Sequence, residues 1–172
     1  SDNARKYNFD TRKMVITGFS AGAHLALIAA LTSRDVRLHR CYTGDQLRIG
    51  AVISWFGISD IERLESFLAR NNRANYALRW IGQKSRVHSL SKKYSPIHYV
   101  NARSPAIFTI HGNRDTVVPY DQATYFHQAL DKNGVKNQLL TFAGGTHGGF
   151  SDGQYQEAFT KIFNFLRDIG ID

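Results

Sequence analysis

The stretch "VITGFSAGAHLALIAAL", residues 15–31, decides the fold of this chain. The β-branched residues at its start predict a buried strand, and the Ala/Leu tract after Ser20 predicts a helix that is apolar on every side and covered by other layers. Between them, Gly18, Ser20 and Gly22 form the pattern G-x-S-x-G of a nucleophile elbow, a sharp turn that lifts a serine above a sheet. A Cβ at either glycine should stop the turn from closing, so we expect both glycines to be required.

The predicted helix adds a second chemical feature beside Ser20. Its first N–H groups have no partner inside the helix, so the N–H of Ala21 can stabilise an oxyanion next to the serine. The alternative is an ordinary glycine-rich turn, which the strand before and the helix after make the weaker interpretation. His24 lies one helical turn beyond Ser20, where its ring either packs beside the elbow or supports the site from behind the reacting groups.

Three further apolar runs, residues 48–56, 104–112 and 137–142, predict strands of the same sheet. A helix is predicted to start at Asp121 as its cap. The last helix carries one apolar stripe that should pack flat against the sheet, formed by Tyr155, Phe159, Ile162, Phe163, Leu166 and Ile169. Strands that alternate with helices predict an α/β fold with a mostly parallel sheet and helices on both faces.

Two parts of the chain depart from a complete α/β pattern. Residues 61–94 are polar and rich in Asn and Arg around short apolar groups, which predicts a helical, cap-like insertion within one domain of residues 1–172. The opening, "SDNARKYNFD", is typical of the end of a helix that leads into the first strand, so we expect the domain to lack its N-terminal strands. Residues 13–17 would then form an unpaired apolar edge, which we expect a missing N-terminal segment, a second copy or a rearranged strand to cover.

A serine hydroxyl needs a base and a group that orients the base. In the elbow fold these follow in the order acid, then histidine. Asp115 lies in "HGNRDTVVP" after the third strand, and His147 lies in the glycine-rich "GGTHGGF" after the fourth. Asp60 closes the second strand and remains an alternative acid. We therefore predict Ser20, Asp115 and His147 as the catalytic residues.

The remaining histidines and the composition narrow the function classes. His111 belongs to the end of a strand and is expected to be packed and hydrogen-bonded, and the other histidines lack metal-ligand spacing, so no metal site or cofactor is predicted. The single cysteine, Cys41, excludes an internal disulfide, and no run is long and apolar enough to predict a membrane span. The net charge of +8 predicts a solvated basic face, and the alternative is a surface that attracts an acidic polysaccharide or nucleic acid, although no nucleic-acid-binding pattern accompanies it. The face is formed by Lys84, Arg86, Lys92, Lys93 and Arg103.

The segments "GFSAGAHLA", "YSPIHYV", "HGNRDTVVPYDQA" and "GGTHGGF" together resemble the α/β-hydrolase superfamily. Within it they are similar to carboxylesterases related to hormone-sensitive lipase and to bacterial acetyl xylan and feruloyl esterases. The resemblance implies Ser20 as nucleophile, Asp115 as acid and His147 as base, with residues 61–94 as a cap over the substrate pocket. The chain departs from the family in having no H-G-G-type oxyanion loop before the elbow.

Two functions follow from this pattern. The first is a serine carboxylic ester hydrolase that needs no cofactor and acts on short acyl esters or on carbohydrate-linked esters of the acetyl or feruloyl xylan type, although an amide hydrolase would use the same triad. The second is a non-catalytic hydrolase-like binding module, because the oxyanion loop is absent. We expect four aromatic residues to build part of the pocket wall, although core packing is the favoured role for each one taken singly: Trp55, Phe56, Trp80 and Phe150.

Overall fold

The computed structural model describes residues 3–11, 13–33, 48–81 and 87–171. The predictions about Cys41, Lys84 and Arg86 therefore lie outside the described residues. Four strands form one sheet: β1 (Met14–Phe19), β2 (Ile49–Trp55), β3 (Ala106–Gly112) and β4 (Asn137–Phe142). Neighbouring strands are all parallel and follow the chain order β1-β2-β3-β4.

One short helix precedes β1, and the other helices lie between and after the strands. Their bounds are α1 (Ala4–Tyr7), α2 (Ala21–Leu31), α3 (Ile61–Arg70), α4 (Tyr76–Ile81), α5 (Val87–Tyr94), α6 (Asp121–Lys132) and α7 (Asp152–Asp168), with a 3-10 turn at Pro96–Tyr99. No helix in the described ranges has the length and apolar character needed to cross a bilayer. The alternation of strand and helix is broken between β2 and β3, where α3, α4 and α5 follow one another.

The sheet is covered on both faces, which confirms the predicted fold class. On one face, Val52 and Ile107 pack with Leu27 of α2 and Phe126 of α6. On the other face, the strand residues Ile53, Phe108, Ile110 and Leu140 pack with Ala158, Ile162 and Phe165 of α7. β2 and β3 are therefore buried on both sides, as parallel strands usually are, and this explains their nearly continuous apolar sequence.

Two expectations about burial are wrong. α2 is not covered on every side, because Leu25 is 62% exposed and Ala21 and Gly22 are also exposed. The apolar stripe of α7 is wider than its contact with the sheet, so Phe159 and Phe163 are 50% and 62% exposed. In both helices the apolar residues outnumber the positions that face β-strands.

The start of α6 also differs from its prediction. Asp121 is the first residue of the helix and not its cap, because Tyr120 precedes it in a helical conformation and the end has no side-chain cap. Asp121 Oδ1 instead lies buried without a hydrogen-bond partner among the described residues. Burial raises the pKa of this carboxyl, with Arg63 opposing the shift.

Helices α3 and α4 pack around a small apolar cluster of their own. Ile61, Leu64 and Leu68 of α3 contact Ala77 of α4 there. Asp60 begins α3 as its cap, since Oδ1 accepts hydrogen bonds from the N–H groups of Glu62 and Arg63. This arrangement puts α3 and α4 beside the carboxyl end of the sheet, whereas a cap within a single domain of residues 1–172 stays a prediction.

Candidate active site

Ser20 stands at the turn between β1 and α2 in a strained conformation. Its φ of 51° and ψ of −118° are rare for a residue with a side chain and cost about 1–3 kcal/mol. The turn is held because the Ser20 N–H donates to Trp55 O at 2.9 Å and the Ser20 carbonyl accepts from the N–H of His24 at 3.0 Å. These bonds place the side chain above the carboxyl edge of the sheet.

The two glycines of the elbow are not equivalent. A Cβ on Gly18 would lie 2.4 Å from the carbonyl carbon of Gly22 and 2.7 Å from the nitrogen of Ala23, so Gly18 is required for the close approach of strand and helix. A Cβ on Gly22 would meet nothing within 4 Å. The expectation that Gly22 is also sterically required is wrong, because its backbone makes the contact while its side-chain position faces open space.

The structure brings Ser20, His147 and Asp115 into one hydrogen-bonded chain. His147 Nε2 lies 2.9 Å from Ser20 Oγ, although the two residues are 127 positions apart in sequence. His147 Nδ1 lies 2.6 Å from Asp115 Oδ2. Since a carboxylate only accepts, Nδ1 carries the ring proton and Nε2 is left to accept the proton of the serine hydroxyl.

The carboxylate of Asp115 is buried and accepts several hydrogen bonds. Oδ1 accepts from the N–H groups of Val117 and Val118 at 2.8 and 2.9 Å. Burial favours the neutral acid, but hydrogen bonds from His111, His147 and these two N–H groups outweigh it and hold the pKa of Asp115 well below its usual range. Asp115 is therefore a fixed negative charge behind His147.

His111 also contacts Asp115, a contact that was not predicted from the sequence. Its fully buried ring has Nε2 2.9 Å from Val118 O and 3.4 Å from Asp115 Oδ2. Its other nitrogen, Nδ1, has no hydrogen-bond partner in the described ranges, so the ring proton lies on Nε2. The expected packed and hydrogen-bonded state of His111 is thus confirmed. The four-residue spacing between His111 and Asp115 is the signal in the sequence from which the contact could have been predicted.

The loops that carry Asp115 and His147 are joined directly at their backbones. A Cβ on Gly112 would lie 2.3 Å from the carbonyl carbon of Gly145, so the end of β3 and the loop after β4 touch there. The Arg114 N–H donates to Gly145 O at 2.8 Å, and Asn113 Oδ1 accepts from the Gly144 N–H at 2.7 Å. These bonds set the separation of the acid and the imidazole.

Three of the four aromatic residues expected in the pocket wall lie elsewhere. Trp55, Phe56 and Phe150 belong to the core cluster between the sheet and α7, since their strands and loops direct them to that face. Phe56 also packs edge-on against the His147 ring, with 4.7 Å between ring centres. Only Trp80 of the four lines the cavity beside Ser20.

That cavity has a volume of about 460 Å³ and is bounded by α2, α3, α4 and the acid loop. His24 lines it and donates its Nδ1–H to Ile58 O, 3.0 Å away, while burial lowers the pKa of the His24 imidazole. The Tyr76 hydroxyl donates to Val117 O at 2.7 Å. Burial, with a contribution from Asp115, raises the pKa of Tyr76 to about 12, so the phenol keeps its proton.

Asp60, the alternative acid, has other partners in the described part of the chain. Asp60 is engaged as the cap of α3 and lies 3.5 Å from Arg63 Nε, and it makes no hydrogen bond to His147. No group of three or more His, Cys, Asp or Glu side chains that could hold a metal ion occurs within the described ranges.

Lys92, Lys93 and Arg103 of the basic face are exposed.

Comparison with known proteins gives consistent results. Residues 1–130 match the BD-FAE family. The esterase LipQ of Mycobacterium tuberculosis is 32% identical over 137 residues, which cover 78% of this chain and 32% of LipQ. A truncated carbohydrate esterase from gut microbiota has a TM-score of 0.75 at 31% identity, covering 96% of this chain and 63% of the other. Propionate-bound esterase 2 of Thermogutta terrifontis has a TM-score of 0.77 at 25% identity, covering 99% and 61%.

Proposed function

The chain belongs to the BD-FAE family of α/β-hydrolase carboxylesterases, and on that premise we propose that it hydrolyses carboxylic esters through Ser20, His147 and Asp115. The observation that carries the proposal is the pair of distances that link His147 to Ser20 Oγ and to Asp115 Oδ2. The chain spans about a third of the length of the curated relatives it matches, so the activity is proposed here for its own residues.

In the first half of the reaction, Ser20 Oγ attacks the ester carbonyl carbon and its proton moves to His147 Nε2. Asp115 stabilises the imidazolium that forms, because its carboxylate already accepts the Nδ1–H. The tetrahedral intermediate then collapses, the bond to the alcohol oxygen breaks, and the alkoxide takes the proton from Nε2. An acyl group remains on Ser20.

In the second half, a water molecule takes the place of the alcohol. His147 Nε2 accepts a proton from the water as its oxygen attacks the acyl carbon, and returns the proton to Ser20 Oγ as the acid leaves. The imidazole must be neutral at the start of each half, because only the neutral ring can accept a proton at Nε2.

The negative oxygen of each tetrahedral intermediate needs donors. The N–H of Ala21 is in the first turn of α2, where it has no partner within the helix, and it lies at the positive end of the helix dipole. One such donor is typically responsible for a hundredfold or more of the rate. We therefore assign the backbone N–H of Ala21 as a hydrogen-bond donor to the oxyanion.

Short acyl and carbohydrate-linked esters are the substrates that we propose. The names of similar proteins support this choice, since one is a carbohydrate esterase and another is an esterase with propionate bound. Assays with p-nitrophenyl acetate, acetylated xylan and methyl ferulate distinguish simple esters from carbohydrate-linked and aromatic ones.

The test of the reaction is Ser20→Ala in the full chain. We expect hydrolysis of p-nitrophenyl butyrate to fall at least a thousandfold, to about the level that binding and the oxyanion donor alone support. Ser66→Ala, on α3 and away from Ser20, is the matched control and should retain the wild-type rate. Retained turnover in a folded Ser20→Ala variant would exclude Ser20 as nucleophile.

A further inference from the structure

We propose that Tyr76 of α4 is a positioning residue for the reaction, because its hydroxyl extends the hydrogen-bonded chain of the catalytic residues into that helix and fixes a peptide group that holds the Asp115 carboxylate. This inference rests on the proposed function. It adds a fourth side chain to the catalytic apparatus, one that acts through Asp115 rather than on the ester.

A single peptide group links Tyr76 to Asp115. The Tyr76 hydroxyl donates to Val117 O at 2.7 Å. That carbonyl and the Val118 N–H belong to the same peptide bond, and the N–H donates to Asp115 Oδ1 at 2.9 Å. Because a peptide group is planar and stiff, a partner that fixes its oxygen also fixes the direction of its N–H. Tyr76 therefore sets the orientation of one of the donors to the carboxylate.

The hydrogen bonds continue from this carboxylate to the nucleophile. Asp115 Oδ2 accepts the Nδ1–H of His147 at 2.6 Å, and His147 Nε2 accepts from Ser20 Oγ at 2.9 Å. Hydrogen bonds in series polarise one another, so a donor on Val117 O strengthens the N–H of the same peptide group as a donor. The effect of the Tyr76 hydroxyl thus reaches the imidazole that accepts the serine proton.

The Tyr76 phenol is held in place and in the form that donates. Its ring packs against the apolar cluster of α3 and α4, which includes Leu64 and Ala77. Burial, with a smaller contribution from the charge of Asp115, raises the pKa of Tyr76 to about 12, so the hydroxyl keeps its proton near neutral pH. Removal of the hydroxyl alone would leave the ring contacts in place.

The bond from Tyr76 differs in kind from the bonds inside the acid loop. The N–H groups of Val117 and Val118 follow Asp115 by two and three positions, so their bonds to the carboxylate move with the loop. Tyr76 lies 41 positions from Val117 and ties the loop to a separate element. Val117 is 40% exposed, so water can satisfy its carbonyl, but water does not hold the carbonyl in position.

The kinetic test is Tyr76→Phe in the full chain, with p-nitrophenyl butyrate as substrate. We expect kcat to fall about fivefold and KM to stay within about twofold, since one lost hydrogen bond acts on the reacting groups and not on ester binding. Tyr99→Phe is the matched control, because it also removes a phenol that donates to a backbone carbonyl, Lys93 O of α5 at 2.6 Å. It should keep the wild-type constants. A wild-type kcat in folded Tyr76→Phe overturns the proposal.

A double-mutant cycle shows whether Tyr76 acts through Asp115. In Asp115→Asn the side chain no longer holds His147 in the reactive tautomer, so adding Tyr76→Phe should change kcat by less than about 1.5-fold. A fivefold loss in both backgrounds would mean that Tyr76 acts by another route, and it overturns the proposal.

The proton between His147 Nδ1 and Asp115 Oδ2 gives a spectroscopic readout that needs no turnover. A short hydrogen bond from a ring N–H to a carboxylate produces a proton NMR signal far downfield. Tyr76→Phe should move this signal upfield, and Tyr99→Phe should leave it in place. An unmoved signal in folded Tyr76→Phe overturns the proposal whatever the kinetic constants are.

A second substitution, Tyr76→3,5-difluorotyrosine, keeps the size of the side chain and remains decisive if Tyr76→Phe does not fold. Its phenol ionises at lower pH than that of tyrosine, and a phenolate cannot donate to Val117 O. We expect kcat to fall at least threefold relative to wild type as fluorine NMR reports the ionisation. Ionisation with an unchanged kcat overturns the proposal.

The outcomes separate this inference from the proposed function. Ester hydrolysis that needs Ser20 but is insensitive to the Tyr76 substitutions overturns the positioning role alone. If the folded wild-type chain hydrolyses no ester, the proposed function fails and the role of Tyr76 in the reaction fails with it.

Discussion

Ser20 depends on its neighbours for a backbone conformation that it would not adopt alone. Its strained φ and ψ persist because Trp55 O accepts its N–H and because Gly18 lets α2 approach β1. The missing side chain of Gly18 thus contributes to the position of the serine hydroxyl as directly as any hydrogen bond does.

Alanine substitutions at the two elbow glycines should have opposite effects. Gly18→Ala should lower the free energy of unfolding by about 3 kcal/mol or more, because its Cβ would overlap backbone atoms that have little room to move. Gly22→Ala should raise it by about 0.5 kcal/mol, since its Cβ meets open space and alanine favours the helix. Urea unfolding measures both, and equal destabilisation would contradict this account of the elbow.

His111 should influence the pH dependence of hydrolysis through Asp115. In His111→Leu the carboxylate of Asp115 loses one N–H donor that stabilises its ionised form, so the pKa of Asp115 should rise and the acid limb of the kcat/KM profile should move to higher pH. The maximal kcat/KM should fall on the order of tenfold, with the larger change in kcat.

His111→Gln is the control for this prediction, because its amide retains an N–H donor near the position of Nε2. It should restore most of the wild-type profile. A His111→Leu variant that loses activity without any shift of the acid limb would indicate that His111 serves only packing.

The residues of the site were predictable where their signals are local. The elbow pattern and the two polar loops after strands identify Ser20, Asp115 and His147, and the parallel topology brings the ends of those strands to one edge. The His111 contact was not predicted, although its four-residue spacing to Asp115 is a local signal. The freedom at Gly22 was not predicted, because it depends on how β1 and α2 approach each other in space.

The junction between β2 and α3 is held by the first turn of α6. Gln122 is fully buried, and its Oε1 accepts from the N–H groups of Ser59 and Asp60 at 3.0 and 2.8 Å while its amide donates to Asp60 O. One side chain therefore satisfies three backbone groups where the chain leaves the sheet for α3. It also ties the cavity wall to the sheet.

Gln122→Leu should leave those backbone groups without partners. At about 1–3 kcal/mol for a buried unpaired group, we expect a loss of about 3 kcal/mol and a Tm lower by about 6–12 °C. Gln128→Leu, on the exposed side of the same helix, is the matched control and should shift the Tm by less than about 2 °C. Equal shifts in a thermal unfolding experiment would show that the Gln122 bonds do not support the junction.

Secondary structure was predictable to within a few residues for the strands, because burial on both faces leaves a continuous apolar run. The orientation of the helices was less predictable. An apolar stripe indicates that a helix packs against other elements, but it does not indicate how much of the stripe they cover. The exposure of Phe159 and Leu25 was therefore not predictable from the sequence. The three helices of residues 61–94 had no strong period to define their ends.

β1 is an edge strand of the described sheet, pairing with β2 on one side only. Phe19 and Leu25, both at least half exposed, lie on β1 and on the helix that follows it. An unpaired strand edge beside apolar surface readily pairs with a further strand. We therefore predict that the free edge of β1 is covered in solution, either by another segment of polypeptide or by a second copy of the chain.

Hydrogen exchange measures the state of this edge. If it is covered, the outward N–H groups of residues 14–19 should exchange slowly, close to those of the central strand β3. Sedimentation of the same sample reports whether a second copy provides the cover. A stable monomer in which these amides exchange as fast as loop amides would contradict the prediction.

The most direct test of the whole account is covalent labelling of the folded chain with a fluorophosphonate, followed by mass spectrometry of its peptides. A serine activated by His147 and Asp115 should form one phosphonyl adduct, on Ser20, with loss of fluoride, and His147→Ala should abolish it. A folded chain that takes up no label on Ser20, or that labels equally well without His147, would contradict the claim that these three residues act as one nucleophilic unit.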